Sequence, residues 1–224
     1  MAARGSSGLK RDQARTRLAR AAVVDAARSL FLEHGYGATT IDAISELADV
    51  PPATVYRLFS SKHGILKALL DVSIVGDDEN VAMADRSTVR TLLAERDPRK
   101  QLAGFVTITA QVNARIAPLY RILVSAAGTD PDAAALLDTL TRQRQQGQQQ
   151  IARSLARAGA LLPELRERDA ADIIHALLSP ELYGLLVIDR SWKTERYQPW
   201  LVRTLIDQLL PGTPATSTAR ERIR

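Results

Sequence analysis

A short segment after two consecutive prolines, Ala53 to Phe59, carries side chains well suited to bind another molecule. Thr54 offers a hydroxyl group, Tyr56 a phenol and Arg57 a guanidinium group within one helical turn. Arginine pairs with guanine or with phosphate, and hydroxyl groups hydrogen-bond to base edges and phosphates. A helix that presents such groups near its N-terminal end suits the major groove of DNA, where we expect Thr54 and Arg57 to make contact.

This segment lies inside a run of helical patterns between residues 23 and 70, which turn residues separate. Gly35 suits the end of a first helix, because glycine adopts a left-handed conformation without strain. Asp49 lies at the next joint, where we expect a positive φ that aspartate tolerates. Pro51 and Pro52 start the following helix, since proline at the first helical position loses no hydrogen bond. We therefore predict three short helices and a longer fourth one.

Composition restricts the fold class and the cellular location. The chain has 224 residues, of which 46% are hydrophobic, and it contains no cysteine, so disulfide bonds and thiolate metal sites are excluded. Helix-favouring residues are abundant and no alternating apolar pattern predicts a strand, so we expect an all-α fold. We find no secretory signal and no apolar run of about 18 residues, which predicts a cytoplasmic protein without a membrane partner.

Positive charge is concentrated at the N-terminus. The net charge is +5, and residues 1–20 contain six basic residues and one acid, Asp12, so the remaining residues carry 24 charges of each sign. We predict that residues 1–16 form a basic flexible arm. Such an arm attracts phosphate or an anionic membrane alike. A solvated tail without a specific contact is the alternative interpretation.

Beyond this unit the sequence changes to longer helical patterns. The stretch from Gly76 to Asn80 marks the break. We expect helices at 81–95, 99–116, 118–127, 132–158, 168–189 and 195–210. Pro180 is expected to kink the helix at 168–189, because it removes a hydrogen bond. The end, 211–224, is rich in Pro, Thr, Ser and Arg, and we predict a disordered tail there.

The order and spacing of the N-terminal motifs resemble the TetR family of bacterial transcriptional repressors. The resemblance runs from about Arg17 to Ser73. It implies an N-terminal helix-turn-helix DNA-binding domain at 17–75, joined through the fourth helix to a helical effector-binding and dimerisation domain at 76–210. The motifs that carry it are Ala27…Leu30-Phe31, Gly35-Tyr36, Thr39-Thr40-Ile41, Ile44, Leu47-Ala48, Thr54-Val55-Tyr56-Arg57-Leu58-Phe59 and Ser61-Lys62.

The resemblance also implies roles for single residues. Tyr56 and Lys62 resemble positions that hold DNA phosphates in the family, and Thr40 resembles the hydroxyl group at the start of the preceding helix. Phosphate contacts of this kind set the register on DNA without carrying sequence information. The expected DNA-binding residues are Thr40, Ala53, Thr54, Tyr56, Arg57 and Lys62.

Three positions depart from the family pattern. Most relatives carry Gly at the position of Asp49, Ser at that of Pro51 and Gly at that of Ala53. Pro51 cannot cap a helix with its side chain, and Ala53 adds a methyl group close to the DNA backbone or to a thymine methyl. We therefore expect a helix-turn-helix with an atypical operator preference.

The second domain carries candidates for an effector pocket and a dimer interface. A helical stripe there faces either a pocket or an ordinary core. The helices at 132–158 and 168–189 correspond to the pair through which the family dimerises. The candidate effector-binding residues are Met83, Phe105, Thr109, Asn113 and Tyr120, and the candidate interface residues are Leu177, Leu178, Leu182, Leu185 and Leu186.

The sequence predicts a regulator and not an enzyme. The three histidines are widely separated, and no H-E-x-x-H, Walker A or G-x-G-x-x-G motif is found, so no catalytic residue, metal or cofactor is expected. The predicted function is a homodimeric repressor that binds a double-stranded DNA operator and is released by a small-molecule effector. One alternative is a helical dimer that acts through protein–protein contact and has lost operator binding. Another is a repressor that answers to no ligand.

Overall fold

The computed structural model describes residues 4–76 and 87–212, and within these ranges every regular element is a helix. This confirms the predicted all-α class. Met83 and most of the predicted tail, 213–224, lie outside the described residues. The elements are α1 (Arg4–Ala38), α2 (Ile41–Ala48), α3 (Pro52–Phe59), α4 (Lys62–Val75), α5 (Ser87–Leu93), α6 (Pro98–Ala127), α7 (Pro131–Arg157), α8 (Glu167–Leu177), α9 (Pro180–Tyr183), a π-helical turn (Gly184–Asp189) and α10 (Thr194–Leu209).

The first helix is longer than the sequence patterns predicted. α1 begins at Arg4, so the described part of the predicted basic arm, 1–16, is helical in the structure. No glycine or proline lies between Gly8 and Gly35, and the frequent Ala, Arg and Leu residues favour helix, which lets α1 extend beyond its packed part. Gly35, with a φ of +77°, interrupts the helical path near its end.

One hydrophobic core joins the N-terminal helices to the second domain. Its centre contains the fully buried Phe31, Ile44 and Val55. Leu119 and Leu123, near the end of α6, belong to the same cluster. The chain therefore changes its pattern near residue 76, but the core continues across that boundary.

A second core lies within the C-terminal part of the chain. It contains residues from α6, α7, α8 and α10, among them the fully buried Leu102, Tyr197 and Leu201. The ring of Tyr183 packs edge-on against that of Tyr197, with centroids 5.2 Å apart. α6 and α7 each contribute residues to both cores, so these two long helices connect the two ends of the molecule.

Two prolines act differently from what the sequence patterns predicted. α6 runs through Pro118 as one helix, although we expected separate helices at 99–116 and 118–127. The carbonyl of Ala114 loses its partner at this point, and the exposure of Ala114 lets water replace it. Pro180, by contrast, ends the predicted 168–189 helix. Ser179 caps a new helix there by accepting from the Leu182 amide at 3.1 Å, with Pro180 in the first helical position.

The segment Glu167–Asp189 is long and apolar enough, by length and composition alone, to cross a membrane. Core helices of soluble proteins meet the same criterion. In this structure the segment is divided after Leu177, and Ile174 and Leu178 are buried in the second core. Packing within the protein therefore accounts for part of its hydrophobicity, since 33% of the apolar window is buried.

Candidate nucleic-acid interface

The turn between α2 and α3 determines how α3 leaves the core. Asp49 has a φ of +50°, which confirms the predicted positive φ at this joint. The Val50 amide donates to the Ser45 carbonyl at 3.1 Å, and the Ser45 hydroxyl donates back to the Val50 carbonyl. Because Ser45 is buried, these two hydrogen bonds satisfy polar groups that water does not reach and hold the turn in one conformation.

α3 starts regularly in spite of its unusual sequence. Pro51 occupies the capping position and provides no side-chain cap. Its carbonyl oxygen accepts from the amides of Thr54 at 2.8 Å and Val55 at 3.1 Å. Pro52 has no amide hydrogen, so one fewer donor at the helix start needs a partner. The departure from the family pattern at Pro51 therefore leaves the helix-turn-helix intact.

One side of α3 is buried and the other is exposed. Val55 and Phe59 face the core. Ala53, Tyr56 and Arg57 are exposed, and their spacing of three and four residues places them on one stripe of the helix. Tyr56 has 52% of its surface exposed, so its ring and its hydroxyl group are accessible to another molecule.

Two neighbouring threonines at the start of α2 have different functions. Thr39 is buried, and its hydroxyl donates to the Gly35 carbonyl at 2.8 Å. Thr40 is exposed and caps α2, with its hydroxyl oxygen accepting from the Ala43 amide at 3.1 Å. The hydroxyl hydrogen of Thr40 remains available to an acceptor such as phosphate. Thr54 lies half-buried on the flank of α3.

Lys62 has a structural role that sequence reasoning did not find. Its ammonium group donates to the carbonyl oxygens of Tyr36 at 2.7 Å and Thr39 at 2.9 Å, and it lies 4.3 Å from the centre of the Tyr36 ring. Burial lowers the pKa of this ammonium group, while the charge of Asp130 acts in the opposite direction. Two of its three hydrogens are thus used internally, and the third remains for a phosphate.

We predict that Lys62→Met lowers the free energy of unfolding by about 2 kcal/mol, because two carbonyl groups lose a charged donor. Chemical denaturation monitored by circular dichroism measures this change. Lys67→Met is the matched control: Lys67 is exposed and pairs with Asp71 on the same helix, and an exposed pair of this kind contributes less than about 1 kcal/mol. Equal effects of the two substitutions would contradict the structural role of Lys62.

The positive charge around α3 extends beyond the helix itself. α3 carries Arg57 and no acidic residue. Arg20 of α1 reaches the C-terminal end of α3, where its guanidinium group donates to the Leu58 carbonyl at 3.3 Å and lies over the Phe59 ring. The excess of basic residues at the N-terminus was the sequence signal for this contact.

Two of the candidate effector-binding residues, Asn113 and Tyr120, form hydrogen bonds within the protein. Asn113 is buried and donates to the Leu178 carbonyl at 3.2 Å, and the Tyr120 hydroxyl donates to Glu181 at 2.9 Å. Phe105 packs against the second core, and Thr109 is half-buried. None of them lines the groove of about 680 Å³ between α6 and α10 or the cleft of about 520 Å³ between α7 and α8.

The candidate interface residues fall into two groups. Leu178 is 1% exposed, and Leu177 and Leu186 pack against the second core. Leu178 is therefore not a surface residue, because the break at Pro180 turns this part of the chain inward. Leu185 is 49% exposed and Leu182 is half-buried, so these two remain at the surface.

Side chains of α6 connect the second domain to the end of α4. The guanidinium group of Arg115 donates to the carbonyl oxygens of Ser73 at 2.8 Å and Ile74 at 3.1 Å. Only two residues away, Asn113 holds the carbonyl of Leu178 at the break between α8 and α9. α6 thus contacts both the break between α8 and α9 and the end of α4, the helix that follows α3.

Comparison with known proteins identifies relatives of this chain. Residues 23–69 match the sequence model of the family described as bacterial regulatory proteins, tetR family. The chain is 37% identical over 87 residues to YvkB of Bacillus subtilis, an HTH-type transcriptional regulator, and this match covers 36% of the chain but only 46% of the relative. It is 28% identical over 210 residues to YdeS, an HTH-type transcriptional regulator of the same organism, with 93% and 96% of the two chains covered.

The fold is also found among solved structures. The structure of SmeT in complex with triclosan matches with a TM-score of 0.62 at 17% identity, and the match covers 88% of this chain and 96% of SmeT. SmeT is the repressor of the Stenotrophomonas maltophilia multidrug efflux pump SmeDEF. At this level of identity the similarity shows a common fold.

Proposed function

We propose that this chain is a DNA-binding transcriptional regulator of the TetR family, and that it acts in the cytoplasm as a dimeric repressor, which a small-molecule effector releases from its operator. The observation that carries the proposal is the exposed stripe of Ala53, Tyr56 and Arg57 on a helix held by a rigid turn. Such a helix carries groups suited to DNA, and none of the residues that the structure describes buries them.

In the proposed complex α3 lies in the major groove. Thr54 and Arg57 contact base edges, and the methyl group of Ala53 lies near the DNA backbone or a thymine methyl. Tyr56, Thr40 and the remaining hydrogen of Lys62 bind phosphates and set the register. Each group is either exposed or has a hydrogen-bonding capacity that the protein itself does not use.

A dimer places two copies of α3 on one face of the duplex. Leu182 and Leu185, with the 41% exposed Ile188 close by in sequence, provide apolar surface for the contact between subunits. Two half-sites then lie about 34 Å apart, or a multiple of that distance, and are related by two-fold symmetry.

The proposed release by an effector follows from population shift. An effector that binds more tightly to a conformation with a different spacing of the two α3 helices draws the protein away from DNA. The hydrogen bonds of Asn113 and Arg115 offer a physical route from the second domain to α4. SmeT, which shares the fold, has been solved with the small molecule triclosan.

Selection from a pool of random DNA duplexes tests the proposed DNA recognition. We expect the purified protein to enrich one sequence with two symmetric half-sites. Failure to enrich any sequence, with the protein folded and dimeric, would contradict the proposal and favour action through protein–protein contact.

A thermal-shift screen of small molecules tests the proposed effector. We expect a compound that raises the Tm of the protein and weakens its binding to DNA. If compounds raise the Tm but leave DNA binding unchanged, the protein is not controlled by a ligand.

A further inference from the structure

Residues 11–18 of α1 have no buried side chain, and Leu18 is 69% exposed. The buried part of the helix begins at Val23. A helical segment without a packed face contributes little to the stability of the fold, so its presence needs another explanation.

Residues 1–20 carry the excess positive charge of the chain, and four of their six basic residues lie between positions 11 and 20. Arg11, Arg15 and Arg17 are exposed, and none of them forms an ion pair with another residue in the described ranges. Asp12 is the single acid among residues 1–20, and the rest of the chain is electrically balanced. The segment is therefore a concentrated cationic surface.

The segment is attached beside the helix proposed to read DNA. Arg20 contacts Leu58 and Phe59 at the C-terminal end of α3, and Arg17 lies one turn earlier on the same side of α1. An eight-residue helix is about 12 Å long, close to the width of the major groove. The end of α3 that Arg20 contacts thus lies near the phosphates that border the groove.

A membrane surface fits this segment less well. Helices that bind in the membrane interface combine a basic face with a broad apolar face. In the sequence from Arg11 to Leu18, Leu18 is the single large apolar residue. Phosphate binding requires the arginines alone.

We propose that residues 11–20 of α1 form a second DNA-contacting element, in which Arg11, Arg15 and Arg17 bind phosphates next to the half-site that α3 reads. This inference rests on the proposed function. The contacts are electrostatic and independent of base sequence, so they strengthen binding to the operator and to unrelated duplex DNA by similar factors.

The test compares wild type with the triple variant Arg11→Gln/Arg15→Gln/Arg17→Gln by fluorescence anisotropy over a range of salt concentrations. The probes are a duplex obtained by the selection described above and a scrambled duplex of equal length. The control Arg157→Gln/Arg190→Gln/Lys193→Gln removes the same charge from exposed positions in the second domain. A triple Arg→Lys variant keeps the charge of the segment.

We expect the Gln variant to bind both duplexes at least about tenfold more weakly than wild type. The slope of the logarithm of the association constant against the logarithm of the salt concentration should become shallower by about 3 to 5, because a dimer loses up to six phosphate contacts. The control and the Lys variant should keep the wild-type slope. An unchanged slope in the Gln variant, with sequence-selective binding by wild type, would overturn this inference and leave the proposed function standing. Absence of selective binding by wild type would overturn both.

Discussion

Replacing Tyr56 with alanine is expected to lower the affinity of the protein for its operator by about 100-fold. A hydrogen bond from the Tyr56 hydroxyl to a phosphate contributes about 1.5 kcal/mol, and a dimer loses two of them, or about 3 kcal/mol in total. Because Tyr56 is 52% exposed on α3, the substitution should change the free energy of unfolding by less than about 0.5 kcal/mol. Fluorescence anisotropy with the selected duplex measures the affinity, and urea denaturation measures the stability.

Tyr56→Phe is the matched control, since it removes the hydroxyl group and keeps the ring. If the hydroxyl binds phosphate, this variant should lose nearly as much affinity as the alanine variant. A phenylalanine variant with wild-type affinity would assign the effect to the ring. Wild-type affinity in both variants would show that Tyr56 does not contact DNA.

Gly64→Ala should destabilise the joint between α3 and α4 by about 3 kcal/mol, since overpacking against rigid backbone is costly. A methyl group on Gly64 would overlap the carbonyl oxygen of Phe59 and lie 3.1 Å from its carbonyl carbon. The clash cannot be relieved by a side-chain rotation. It falls where Ser61 caps α4 by accepting from the Gly64 amide at 3.1 Å. We expect a lower Tm and a loss of DNA binding.

Gly147→Ala provides the comparison within the same chain. Gly147 lies inside α7, and a methyl group added there meets no atom within 4 Å. Alanine in a helix interior is more favourable than glycine by about 1 kcal/mol, so this variant should be slightly more stable than wild type. A similar Tm for Gly64→Ala and wild type would contradict the close contact at the joint.

The helix-turn-helix could be predicted because its signals are local. Asp49, Pro51 and Pro52 each restrict the backbone through their own chemistry, and the structure has the positive φ and the helix start that they indicate. The exposed side of α3 follows from the spacing of Val55 and Phe59, which face the core. Such features depend on residues a few positions apart.

The function of Lys62 could not be predicted, because it depends on contacts that are distant in sequence. Its partners are the carbonyl groups of Tyr36 and Thr39, more than twenty positions earlier, and no periodic pattern encodes such a pair. The two prolines illustrate the same limit. Pro180 starts a helix because Ser179 caps it, whereas Pro118 remains inside α6.

The second domain was predicted less well for a related reason. A stripe such as Phe105, Thr109 and Asn113 has the same spacing whether it lines a pocket or packs in a core. In the structure Asn113 is buried and its amide holds Leu178, a residue that we had expected at the dimer interface. The effector pocket and the remaining interface residues stay predictions.

The ratio of two dissociation constants tests the central claim most directly. Kd is measured by fluorescence anisotropy at near-physiological salt for the duplex enriched by selection and for a scrambled duplex of the same composition. Sequence-specific recognition by α3 predicts that the selected duplex binds at least about 1,000-fold more tightly. Equal dissociation constants for the two duplexes would contradict the proposal that this protein reads a DNA sequence.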